Sequence, residues 1–84
     1  MMRNEKTLER FHVMRTVDSQ GNLVGSLDSN QRGLIVARCA TMDEAIRESQ
    51  EDYNYHRART LPVGAGCYYI LDTESGEHLS SGLN

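Results

Sequence analysis

Histidines, cysteines, grouped carboxylates and glycine-rich loops are where chemistry would begin in this chain, and their spacing points away from catalysis. His12, His56 and His78 stand far apart, and none lies four residues from another, the spacing that sets two metal ligands on one helix face. His12 falls on a strand beside Met14 and reads as half-buried and hydrogen-bonded, His56 as closing a helix end, and His78 as exposed after a turn. Cys39 and Cys67 sit inside apolar runs with no histidine or second cysteine at ligand spacing. Apolar neighbours favour the neutral thiol, so both read as buried hydrophobes, with a single disulfide conceivable only if their strands are neighbours. Gly64-Ala65-Gly66 precedes a strand instead of opening a helix, the wrong order for a phosphate cradle. No catalytic site, metal site or cofactor is expected, and the chain is expected not to be an enzyme.

The most patterned surface is acidic. At about 100° per residue along a helix, Glu44, Glu48, Glu51 and Tyr55 fall in one narrow arc, with Asp52 on one flank and Arg47 and Asn54 on the other. One reading is a solvated helix face in which Arg47 and Glu51 pair at i, i+4. The other is a docking surface for a basic protein patch, in which the acids steer the encounter and Tyr55 supplies a rigid anchor. On that reading Glu44, Glu48, Glu51, Asp52 and Tyr55 are the protein-binding residues.

The elements that must position these groups are legible in turn. Phe11 to Val17 alternates as a strand with Phe11, Val13, Arg15 and Val17 on one face and His12, Met14 and Thr16 on the other. Asp18 to Asn22 is turn chemistry with Gly21 free to take positive φ, Leu23 to Leu27 is the returning strand, and Asp28 to Gly33 is the next turn. The near-continuous apolar run Leu34 to Ala40 predicts a strand in the middle of the sheet. Thr41-Met42-Asp43-Glu44 is a capping box opening a helix to about His56, with Met42, Ala45, Ile46, Ser49, Tyr53 and His56 on its buried stripe. Thr60 to Gly66 is a loop. Cys67 to Leu71 and His78 to Ser81 are strands joined by the turn Asp72 to Glu77. Tyr68 and Tyr69 must point to opposite sheet faces, so one of them, with Met14 and Ile35, either forms a second apolar face for a partner or a second copy, if that face is open, or packs under loop segments.

This is an α+β plan: an antiparallel sheet of four to five strands, in the order three strands, helix, two strands, with one amphipathic helix on one face. Eighty-four residues form a single domain with a polar segment over 1–10. Hydrophobic residues at 38% and charged residues at 25% are too apolar and too balanced for a disordered tail. With nine basic against twelve acidic residues the net charge is −3, which disfavours nucleic acid as a partner. The weakest reading of all is nucleic-acid binding through Arg15, Arg32, Arg38, Arg57 and Arg59. The polar start lacks the apolar core of a signal peptide and no run reaches membrane-spanning length, so a cytoplasmic location without membrane contact is the expectation.

In size, mild acidity and hairpin, helix, hairpin layout the chain resembles small phage-encoded accessory proteins, including the anti-CRISPR proteins that bind and block nuclease complexes. The resemblance is carried by Thr41 to Tyr55 and by the hairpin turn Asp72-Thr73-Glu74-Ser75-Gly76-Glu77. It implies stoichiometric binding of a protein partner, such as a CRISPR effector complex, without chemistry, and the acidic helix face calls for a basic surface on that partner. Homodimerisation through the open sheet face or an edge strand is the competing expectation.

Overall fold

The capping box does open a helix. In the computed structural model, which describes residues 9–24 and 33–83, helix α1 spans Met42–Ala58. Extended backbone at Thr41 lets its Oγ1 accept from the Glu44 amide at 3.2 Å, satisfying one of the amides a helix start leaves unpaired. The return bond differs from the expected one: the Glu44 carboxylate accepts from the Thr41 hydroxyl at 3.3 Å, and no bond to the Thr41 amide forms among the described residues. Asp43 and Glu44 in the first turn and His56 and Arg57 in the last complement the helix dipole. The helix runs two residues beyond His56, to Ala58. Thr60 then turns left-handed, with φ of 53°, and the Leu61 amide closes back on the His56 carbonyl at 2.9 Å.

Strands β1 (Phe11–Arg15), β2 (Leu34–Cys39), β3 (Tyr68–Asp72) and β4 (His78–Ser80) form one antiparallel sheet in the order β2-β1-β3-β4, with α1 between β2 and β3 in sequence. β1 stops two residues short of Val17, which instead makes an isolated bridge to Leu23. Only the start of the expected Leu23 to Leu27 strand lies within the described residues; Gly25 to Leu27, and the following turn up to Arg32, lie outside them. A short 3₁₀ turn, Ala65–Cys67, leads into β3 and takes Cys67 out of the strand predicted for it.

The expectation that the Leu34 run is central is not met: among the described residues β2 is the outer strand, beside β1. The reason is a bulge. Val13 faces Ala37 but Met14 faces Ile35, so Val36 is an extra residue, and consecutive Val36 and Ala37 both pack on the helix-side core. The apolar run records that local irregularity and not burial on both sides.

Between sheet and helix lie Val13, Ala45 and Ile70, all fully buried, with Val17, Cys39, Val63 and Tyr68 around them. On α1 the buried stripe is rotated from the one the periodicity suggests. Ala45, Ser49 and His56 are buried, Met42 and Tyr53 are half-buried, and Ile46 is 39% exposed. Both cysteines are free; Cys39 is buried in β2, Cys67 is half-buried just before β3, and β1 lies between those two strands. Tyr68 is the tyrosine that faces the helix, meeting the Tyr53 ring edge-on at 6.2 Å, and Tyr69 lies on the far face across from Met14. That far face is covered at its centre, the other of the two alternatives for it, because Met14 is fully buried and Leu71 nearly so. His12, on the same face, is half-buried as expected, and its Nδ1 has no hydrogen-bond partner among the described residues.

One ion pair ties the lead-in to β1 to the β3–β4 turn. Arg10 donates from Nε and Nη2 to the two oxygens of Asp72, each at 2.9 Å, and the Glu74 amide donates to Asp72 Oδ1 at 3.0 Å. The Arg10 guanidinium, aided by that amide, holds the Asp72 carboxyl well below the usual carboxylate range. A depressed native pKa means the unfolded chain binds the proton more readily. The pair's stabilisation is therefore complete above about pH 4 and is lost as pH falls below it. In Arg10→Gln the acid limb of a stability-against-pH curve, measured by urea unfolding, is expected to flatten; an unchanged limb assigns the acid sensitivity elsewhere.

Candidate functional site

The acidic group separates into two parts. Glu44, Glu48, Glu51 and Tyr55 share one flank of α1, with Glu51 exposed, Glu44 and Glu48 half-buried and Tyr55 51% exposed. Among the described residues Glu48 and Glu51 make no ion pair, and the expected Arg47–Glu51 pair is not formed. Tyr55 is held from behind: the Arg59 guanidinium lies 3.7 Å from its ring centre and also donates to the Tyr55 carbonyl at 3.2 Å. Burial first, and the Glu48 and Glu44 carboxylates after it, push the Cys39 thiol up, with Arg47 acting the other way.

Asp52 does not join them. Its carboxylate turns into the domain, where Oδ2 accepts from Arg15 Nη1 and from the Tyr68 hydroxyl, each at 2.5 Å. Arg15, 7% exposed, also donates from Nε to the Val17 carbonyl at 2.9 Å. Burial and the Asp52 carboxylate push the Tyr68 phenol up, so it stays protonated and remains a donor. One carboxylate thereby joins helix, β1 and β3. The clamp had a visible signal: Arg15 interrupts the apolar face Phe11, Val13, Val17, and a buried arginine requires a buried acceptor.

His56 extends this cluster toward the Asp18–Asn22 turn. Its Nδ1 lies 2.8 Å from the Asp52 carbonyl and 3.4 Å from Asp52 Oδ2. The nearer carbonyl has no proton of its own and takes the Nδ1–H. In the neutral ring, Nε2 is then the acceptor for the Ser19 hydroxyl at 3.3 Å. Serine, histidine and aspartate in this order are the residue types of an acyl-transfer relay, but the atoms are committed otherwise. The ring proton goes to a backbone carbonyl and the Asp52 carboxylate to Arg15 and Tyr68. The turn amides that would serve as oxyanion donors are also taken: Gln20 and Asn22 donate to Asp18 Oδ1 at 2.8 and 3.0 Å, and Gly21 to the Asp18 carbonyl at 3.0 Å. What this arrangement does is fasten the turn to the helix end.

The arginine set read for nucleic acid is dispersed. Arg15 is buried in the clamp, Arg59 lies on Tyr55, Arg38 pairs with Glu9 at 3.8 Å, and Arg32 lies outside the described residues. Among the described residues there is no cluster of three or more potential metal ligands, and no helix is long and apolar enough to cross a membrane. No family model, curated protein or solved structure matches the chain.

Proposed function

We propose that the chain is a small, non-enzymatic protein-binding inhibitor or accessory factor. On this reading it lays the acidic flank of α1 on a basic surface that a nucleic acid would otherwise occupy, as an anti-CRISPR protein does on a nuclease complex. The observation that carries the reading is the group Glu44, Glu48, Glu51 and Tyr55, in which Glu48 and Glu51 make no ion pair among the described residues while Asp52, the neighbouring acid, is paired with Arg15 inside. Carboxylates at i, i+4 and i, i+3 on one helix destabilise it by about 0.2–0.5 kcal/mol per pair. A basic partner relieves that repulsion, gains steering from the same charges, and finds an arginine-backed tyrosine ring beside them.

The test is competition with target DNA for a CRISPR effector complex. The parent protein is expected to displace DNA, and Glu44→Lys, Glu48→Lys and Glu51→Lys together are expected to weaken it by about a hundredfold, a loss of about 3 kcal/mol. Unchanged affinity in that variant excludes this flank as the docking face.

A further inference from the structure

The outer edge of β2 lies beside that flank. β2 pairs with β1 on one side and with no strand among the described residues on the other. The backbone groups of that side are a template for an added strand. Leu34, Ile35, Val36 and Ala37 are half-buried, and the strand carries neither proline nor lysine to guard its edge. The bulge at Val36 interrupts the ladder, which confines regular outward pairing to the Ala37–Cys39 half.

Charge decides what fits there. Tyr53, on one flank of α1, meets Tyr68 of β3, and Glu44 and Glu48, with Arg47 beside them, lie on the opposite flank. In the order β2-β1-β3-β4 the flank away from β3 lies toward β2, and the two glutamates belong to it. Ala37 and Cys39 belong to the helix-side core, and Arg38 between them is exposed on the opposite face. A strand added alongside presents alternate side chains to the two faces, so one set meets Glu44 and Glu48 and the other meets Arg38. A second copy fits poorly, because two-fold pairing at this half-strand brings two sets of these glutamates toward each other.

We propose that β2 takes up an extended basic segment of the partner, with lysine or arginine at alternate positions beside Glu44 and Glu48 and non-basic residues beside Arg38. This rests on the docking flank proposed above and names the kind of segment that flank receives. The probe is a short peptide of alternating lysine and valine, with alternating glutamate and valine as control, added to the full chain and followed by amide hydrogen exchange. Those amides of Ala37–Cys39 that exchange freely without peptide are expected to slow about tenfold or more with the lysine peptide alone, and not in the Glu44→Lys, Glu48→Lys variant. Lysine-peptide binding that is lost in that variant but leaves the β2 amides unchanged overturns the strand addition while the docking flank stands. Binding indifferent to the glutamates, or no binding, overturns both. Protection that grows with protein concentration without peptide makes a second copy the occupant and overturns the basic segment.

Discussion

Gly33→Ala is expected to destabilise the domain by about 3 kcal/mol or more, through a clash that has no soft side. Gly33 leads into β2 with φ of +124°, and a Cβ there would lie 2.4 Å from the Arg15 carbonyl oxygen and 3.0 Å from its carbon. Both atoms are backbone, and β1 at this point is held between Leu34 of β2 and Tyr68 of β3, so Arg15 has little room to retreat. Gly76→Ala is the control: its φ of +78° carries strain, but a Cβ there meets nothing within 4 Å, so about 1 kcal/mol is expected. In a domain whose whole stability is about 5–15 kcal/mol, the Gly33 variant should show a midpoint lower by about 10 °C or more in thermal unfolding. A shift no larger than that of Gly76→Ala would mean that the strands part readily at this point.

Asp52→Ala is expected to cost about 3–4 kcal/mol, because it strands a buried guanidinium. Arg15 keeps only the Val17 carbonyl, and the Tyr68 hydroxyl loses its acceptor. Tyr68→Phe removes a single hydrogen bond and should cost about 1 kcal/mol. The double variant Arg15→Met, Asp52→Leu should recover much of the Asp52→Ala loss, since no unpaired charge then remains inside. Urea unfolding of the three variants checks the order. Equal losses in Asp52→Ala and Tyr68→Phe would show that Arg15 finds water when its partner is gone. The result also bears on the docking flank: loss of binding in an Asp52 variant reports damage to the fold, which is why the charge reversals are placed at Glu44, Glu48 and Glu51.

Local chemistry was legible where neighbours in sequence settle it. Thr41 and Glu44 start the helix because a hydroxyl and an amide three residues apart meet whatever lies elsewhere. Both turns are set by an aspartate and a glycine. Asp18 accepts the Gln20 and Asn22 amides and Gly21 takes φ of +83°, while Asp72 accepts the Glu74 amide and Gly76 donates to its carbonyl at 2.7 Å. The opposite directions of Tyr68 and Tyr69 follow from the strand period alone.

What tertiary structure decided is which face each element spends inside. An apolar run carries no record of its neighbours, so Leu34 to Cys39 reads the same at the centre or the edge, and the bulge at Val36 makes the edge version look central. On α1 the periodicity favours Ile46 as an inward residue, yet Arg15 of β1 required a carboxylate. Turning Asp52 toward it rotates Ile46 out to 39% exposure. Hydrophobic pattern fixes a helix face only to within its apolar arc, whereas a buried charge admits a single partner at hydrogen-bond distance, and that stricter demand sets the final rotation. The sequence by itself determined the helix, the turns and the grouping of Glu44, Glu48 and Glu51; the contact between strand and helix determined that Asp52 left the group.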